Sequence, residues 1–305
     1  MKLVFAGTPQ AAVPSLVALA QSHHDLSAVI TRADAPLGRK RVLTPSPLAQ
    51  AAAELGLPVL KANRLDEAAT AEIAALQPDL GVIVAYGGLV REPLLSVPRQ
   101  GWINLHYSLL PRWRGAAPVQ RALIAGDELT GAAVFQLVPE LDAGAVFALF
   151  TQAIAEDDTA GSLLRDLSDS GARLLLEVID ALEVGGIQAA PQTGPVTLAP
   201  KLTLADARID WSEPAVSVRN RVRGVTPEPG AFTVLGDARL KLLDVALTQG
   251  AEPQPAGLIR ETDKKVLIGT GTEPLELVTV QPAGKKQMTA IDWWRGVNRT
   301  EVVAS

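Results

Sequence analysis

Cysteine is absent from the 305 residues, and histidine occurs only three times. No disulfide, thiolate nucleophile or cysteine-ligated metal is available to such a chain. Two histidines, His23 and His24, are adjacent and the third, His106, stands alone. There is no H-x-x-x-H or comparable ligand spacing, so metal-free chemistry is expected. Aromatic residues make up 4% of the chain, which makes any aromatic placed in a polar loop informative. No apolar run approaches the roughly 20 residues that a membrane span needs. The opening "MKLVFAGTP" carries one lysine and a short apolar run before turn chemistry begins. It reads as a first strand and not as a signal peptide, and a cytoplasmic protein is expected. A net charge of −5 is atypical of a nucleic-acid binder. The charge is uneven, however: residues 201–305 hold 14 basic and 13 acidic side chains, leaving the excess of acid in the first 200 residues.

The length suits two domains. The N-terminal part alternates strand and helix signals. Strands are expected at "KLVFAG", "LSAVITR", "LPVLK", "DLGVIVAYGG" and "GWINLHYS", and helices at "PQAAVPSLVALAQS", "PLAQAAAELG", "LDEAATAEIAALQ" and "APVQRALIAG". The uninterrupted apolar run in "DLGVIVAYGG" suits a strand buried on both faces. An antiparallel pair is expected from "GAAVFQLV" and "AVFALFTQAI", then a long helix from Thr159 to about Val184. Alternation of this kind implies an α/β fold with a mostly parallel, doubly wound sheet over residues 1–185. Residues 186–206, rich in Gly, Pro, Thr and Gln, read as a linker. Residues 207–305 contain a helix at "PAVSVRNRVRG" and then short strands at turn-bounded intervals, the pattern of a small β-barrel.

The densest chemistry lies in "NLHYSLLPRWRGAAP", residues 104–118. Alternation along "INLHYS" puts Asn104 and His106 on one face of a strand. Its carboxyl end is where open α/β sheets bind ligands. Asp142, in "PELDAG", sits on a turn, where Asp-x-Gly is also ordinary turn chemistry. In "SLLPRWRG", Trp113 stands between Arg112 and Arg114, side chains suited to stacking or phosphate contact and equally to a surface loop. Arg39, Lys40 and Arg41 form a row on the expected loop "ADAPLGRKRVLTPSP", suited to phosphate or simply to water. "FAGTPQ" is not a G-x-G-x-x-G fingerprint, so no dinucleotide site is expected.

Several of these stretches, in order and over nearly the whole chain, closely resemble the 10-formyltetrahydrofolate-dependent formyltransferases, and within them the methionyl-tRNA formyltransferase family. They are "FAGTPQ…VPSL" at 5–16, "GRKRVLTPSP" at 38–47, "AYG" at 85–87, "INLHYSLLPRWRGAAPVQRA" at 103–122, "ELDAG" at 140–144, "ARIDWS" at 207–212 and "QPAGKKQM" at 281–288. The resemblance implies a Rossmann-like formyltransferase domain followed by a C-terminal barrel of the OB type. It implies Asn104, His106 and Asp142 as catalytic residues, with His106 charged and oriented by Asp142. It implies a folate pocket built from Ala85, Tyr86, Gly87, Ser108, Leu109, Leu110, Pro111, Val138 and Leu141. It implies tRNA contacts from Arg39, Lys40, Arg41, Arg112, Arg114, Arg221, Arg223, Lys285 and Lys286. The expected donor is 10-formyltetrahydrofolate, the expected partner initiator methionyl-tRNA, and the chain is expected to act as a monomer. A sugar-nucleotide amine is the alternative acceptor. The chain departs from the family in four places. Ala11 replaces a common aromatic, Tyr107 stands where glycine is usual, Gly88 follows "AYG", and "VPELDAGAVF" varies a usual turn. Tyr107 is expected to alter the shape of the folate pocket.

Overall fold

The chain forms two compact units in a computed structural model that describes residues 1–38 and 40–305. The first unit comprises Met1–Pro118, Leu129–Ala153 and Leu164–Ala199, and the second Val119–Glu128, Ile154–Leu163 and Pro200–Ser305. Most of the segment expected as a linker, residues 186–199, thus packs with the first unit. The short stretches around residues 119–128 and 154–163 are counted with the second.

The elements up to residue 199 come in this order. β1 is Lys2–Gly7, α1 Val13–Ala20, β2 Asp25–Thr31, β3 Ala35–Leu37 and β4 Val42–Thr44. α2 is Pro47–Glu54, β5 Val59–Lys61, α3 Glu67–Ala75, β6 Leu80–Val84 and β7 Trp102–His106. β8 is Arg114–Gly115, α4 Pro118–Ala125, β9 Leu129–Gln136, β10 Val146–Ala153, α5 Ala160–Glu183 and β11 Leu198–Ala199. The basic stretch expected as a loop therefore contains a small antiparallel hairpin, β3 with β4. Three-residue strands are too short to show a period.

The sheet of the first unit runs β10-β9-β7-β6-β1-β2-β5. Pairing is parallel from β7 across to β5 and antiparallel for β9 on β7 and β10 on β9. All five residues of β6 are buried, as its apolar run requires. Val4, Ala6, Ile30, Ile83 and Trp102 form part of one core cluster. Local signals place the helices: Ser46 caps α2 by accepting from the Ala49 amide, and Asp66 caps α3 by accepting from that of Ala69. Because β1 is flanked by β2 on one side and β6 on the other, the winding reverses between β1 and β6. Ligands of open α/β sheets bind at such a reversal, beyond the strands' carboxyl ends. Thr8, Ala85–Gly88 and His106 succeed or end β1, β6 and β7 there.

In the second unit, α6 is Ala215–Gly224, β12 Phe232–Leu235, β13 Ala238–Leu247, β14 Leu258–Thr262 and β15 Lys265–Ile268. β16 is Leu275–Pro282, β17 Met288–Thr289, α7 Ala290–Arg295 and β18 Glu301–Val303. The antiparallel sheet runs β12-β13-β16-β15-β14-β18. Paired backbone hydrogen bonds between Val234 and Ser305, both 3.0 Å, join its two ends and close the sheet on itself. Trp211, Val218, Val222, Leu242, Ile259 and Trp294 are among the residues buried in its core.

Candidate active site

β7 builds the centre of the site. Its register sets Asn104 opposite Phe135 and His106 opposite Ala133 of β9. The His106 ring is buried and stands edge-on to Phe135, centroids 6.3 Å apart. Its Nε2 lies 2.9 Å from the Trp113 carbonyl, which can only accept, so Nε2 carries the proton. Its Nδ1 faces Asp142 Oδ2 at 3.8 Å. Asn104 presents an Oδ1 that is buried and has no hydrogen-bond partner among the described residues. Leaving such an acceptor unsatisfied costs about 1–3 kcal/mol.

Asp142 is held from several sides. Its φ of 46° lies in the left-handed region, costly for a residue with a Cβ. Its Oδ2 accepts from the Gly115 amide at 2.7 Å. Two residues on, Gly144 passes so close to β9 that a Cβ there would lie 1.6 Å from the Gln136 carbonyl oxygen. The loop that carries Trp113 and Gly115 is pinned too. Ser108 Oγ donates to the Arg112 carbonyl at 2.6 Å, and Thr197 Oγ1 accepts from the Trp113 amide at 2.9 Å. β8 pairs with β11 in parallel.

Burial is the largest influence on His106 and pushes its pKa below the ordinary 6.5, against the opposing pull of Asp142 and of the bond to Trp113. The expectation of a charged His106 at rest is thereby corrected: a neighbouring carboxylate attracts the imidazolium, but a ring this deeply desolvated stays neutral.

The residues expected around a folate divide into several groups. Ala85 and Gly87 have φ of 49° and 75°, which turns the chain sharply after β6. Thr8 Oγ1 donates to the Tyr86 carbonyl at 3.0 Å, and the buried Tyr86 hydroxyl donates to Ala62. The Tyr86 ring is thus held by Ala62, and its carbonyl by Thr8. Gly88, a departure from the family, is explained by the same ring: a Cβ at 88 would lie 2.5 Å from Tyr86 Cε1. Ser108 and Leu110 are buried, Leu110 with Ala133 and Phe135, while Val138 is half-buried and Leu141 exposed. Leu109 is half-buried and Pro111 buried.

Tyr107 leaves the side of the strand that carries His106. Alternation turns it away from His106, and its hydroxyl donates to the Ala11 carbonyl at 2.9 Å, beside Ser168 of α5. Burial raises its pKa to about 12. The hydroxyl thus meets the backbone of Ala11, the position at which the resemblance leads one to expect an aromatic.

The basic residues separate as well. Lys40 and Arg41 are exposed at the tip of the β3–β4 hairpin, and Arg39 lies outside the described residues. Arg112 is exposed, its guanidinium 5.5 Å from the Trp113 ring centroid. Arg114 points inward and donates to Gln192 Oε1 through Nε and Nη2. Arg221 bonds Glu213 and the Asp206 carbonyl. Arg223 donates to the carbonyls of Asp158 and Ala155 and to Asn220. Arg114, Arg221 and Arg223 each place some of their donors on partners within their own unit, while Arg221 Nε is buried without a partner among the described residues. Lys285 and Lys286 are exposed on a turn. The remaining histidines lie elsewhere: His23 Nε2 pairs with Glu183 at 2.7 Å and His24 Nε2 with Asp180 at 2.9 Å.

Reasoning from sequence missed Gln192. Its Nε2 donates to the carbonyls of Asp142 and Gly144 at 2.7 and 2.8 Å, and its Oε1 accepts from Arg114. Nothing in "AAPQTGPV" signals this, since the partners lie 50 and 78 residues away in the chain.

The formyl transferase family matches residues 1–179, and its C-terminal domain matches residues 201–298. A methionyl-tRNA formyltransferase of Leifsonia xyli subsp. xyli is 60% identical over all of both chains. Among solved structures, the sugar 3N-formyl transferase WlaRD superposes with a TM-score of 0.70 at 15% identity, covering 94% of this chain and 99% of its own. A methionyl-tRNA formyltransferase from Clostridium thermocellum superposes with 0.59 at 14% identity, covering 82% and 95%. These two likenesses establish the fold alone. With full-length identity of this order to curated relatives, the chain belongs to the methionyl-tRNA formyltransferase family.

Proposed function

We propose that the chain transfers the formyl group of 10-formyltetrahydrofolate to the α-amine of methionyl-tRNA. The observation that carries this reading is the 60% identity over the full length of the Leifsonia relative. The fold itself does not choose the acceptor, because sugar formyltransferases share it.

Asn104, His106 and Asp142 perform the chemistry in this reading. The attacking amine adds to the formyl carbon, and negative charge develops on the formyl oxygen. The Asn104 amide N–H stabilises that oxyanion, a contribution of about 2.7–4 kcal/mol in comparable sites. His106, neutral at rest, takes the amine's proton at Nδ1 as the new C–N bond forms. The imidazolium so made lies between the Asp142 carboxylate and the Trp113 carbonyl, both of which favour the charged form. The intermediate collapses as the C=O re-forms and the C–N bond to tetrahydrofolate breaks; the leaving nitrogen takes the proton from His106 Nδ1, which returns to its neutral form. The partnerless Asn104 Oδ1 and the turned backbone at Ala85 and Gly87 suit a flat, polar ring system, which meets main-chain donors and acceptors there.

Among the candidates for tRNA contact in this reading, Lys40, Arg41, Arg112, Lys285 and Lys286 are exposed. Every group assigned to the chemistry comes from one unit of one chain, which supports action as a monomer, and a tRNA substrate places the reaction in the cytoplasm. The test is formyl transfer from 10-formyltetrahydrofolate to methionyl-tRNA at two salt concentrations, beside His106→Ala. The expected result is turnover that the variant abolishes and a KM for tRNA that rises steeply with salt. No turnover on methionyl-tRNA, with transfer to an amino-sugar nucleotide instead, would replace the acceptor.

A further inference from the structure

We infer that Gln192 is a positioning residue for Asp142, and through it for His106; the inference rests on the catalytic reading of those two groups. A glutamine amide has two N–H donors and an oxygen with two acceptor sites. Gln192 uses all four. Its donors go to the Asp142 and Gly144 carbonyls at 2.7 and 2.8 Å, and its oxygen receives Arg114 Nε and Nη2 at 3.1 and 2.7 Å.

The two sides of this clasp hold two loops against each other. One loop brings Asp142, kept at a φ of 46°. A left-handed aspartate persists only where its surroundings over-determine it, and Gln192 binds that residue's own carbonyl. The other loop carries Trp113 and Gly115 on either side of Arg114. The Trp113 carbonyl holds His106 Nε2, and the Gly115 amide holds Asp142 Oδ2. A single side chain thus ties the loop of the carboxylate to the loop that holds the imidazole. Only the Asp142 side of the clasp needs N–H donors, and only the Arg114 side needs an acceptor. Substitution can therefore separate them.

Gln192→Met keeps the length and removes all four bonds. Gln192→Glu keeps the acceptor for Arg114 and puts a carboxylate oxygen against the Asp142 and Gly144 carbonyls. Both variants are compared with the wild type in steady-state formyl transfer, thermal melting and the pH dependence of kcat. Displacement of a reacting group by about 1 Å costs on the order of 100-fold. The expected result is a 10- to 100-fold fall in kcat in both variants, KM for folate and tRNA changed less than threefold, and the acid limb of the kcat profile displaced. Wild-type kcat and an unmoved acid limb in Gln192→Glu would overturn the inference. So would melting temperatures so far reduced that lost folding accounts for lost rate, because Gln192 would then be a staple of the fold only. A wild type with no formyl transfer would instead bring down the functional reading itself.

Discussion

Tyr107 offers a prediction in which structure and family resemblance point in opposite directions. It comes directly after His106 and stands where the family usually has glycine, yet its hydroxyl donates to Ala11 from the far face of β7. If the ring only fills space, its loss costs stability and leaves catalysis intact. Tyr107→Phe removes one part-buried hydrogen bond, worth about 1 kcal/mol. Tyr107→Gly removes the ring as well, about 3–5 kcal/mol by analogy with other aromatic truncations. At about 2–4 °C per kcal/mol for a unit of this size, the first lowers the melting temperature by about 2–4 °C and the second by on the order of 10 °C. Ala11→Phe in the Tyr107→Gly background puts an aromatic at the residue whose carbonyl the Tyr107 hydroxyl meets. It is expected to recover at least about 1 kcal/mol, measured as the coupling in a double-mutant cycle. The assays are thermal melting and KM for 10-formyltetrahydrofolate at a temperature where every variant is folded. A KM for folate changed severalfold in Tyr107→Phe, with an unchanged melting temperature, would refute the reasoning and restore Tyr107 to the folate pocket.

Burial holds His106 neutral, so the acid limb of kcat/KM is expected below pH 6.5. It moves lower still in Asp142→Asn, where the opposing attraction is gone; a limb that rises instead would contradict the balance of effects given by the geometry. The same depressed pKa has a sign for stability. Below pH 6.5 the unfolded chain takes up a proton that folded His106 declines, so this group's contribution is complete above 6.5 and lost as pH falls toward the folded value; His106→Gln should flatten that part of the stability profile in denaturant titrations. Gly144→Ala should leave the first unit unfolded or severely destabilised, because its Cβ would overlap the Gln136 carbonyl; a melting temperature near that of the wild type would show that the loop shifts freely. Arg223→Ala should lower melting temperature and leave tRNA affinity nearly unchanged, whereas Lys40→Ala with Arg41→Ala should raise KM for tRNA and reduce its salt dependence by about one contact per charge removed.

The parallel sheet was legible because its signals are local. A continuous apolar run in β6, a cap at Ser46 and alternation along β7 each depend on residues within one element. Asn104 and His106 were legible for the same reason: period two decides their shared face, and Pro111 ends the extended run beyond them. Asp142 was harder. A turn aspartate before Ala-Gly is common chemistry, and the family resemblance singled it out, because its contact with His106 joins distant parts of the chain and depends on β9 and β10 folding back. The basic residues are harder to read. Charge can be counted in a sequence, but the partner of a charge cannot, and Arg223 is answered by carbonyls from residues 155 and 158.

The segment from 186 to 199 makes the same point for the site itself. Its composition announces only irregular backbone, and irregular backbone reads as a tether. Yet β11 pairs with β8, Thr197 receives the Trp113 amide, and Gln192 saturates its amide on the loops of Asp142 and Arg114. A segment without a period cannot bury a face of its own, so it contributes by single side chains and short pairings. Those pairings are nonetheless what keep His106 and Asp142 in register: remove them, and the strand that delivers the histidine and the turn that delivers the aspartate lose the strap that joins their supporting loops. In the proposed function the reaction's geometry therefore rests on residues whose only sequence signature is the absence of one.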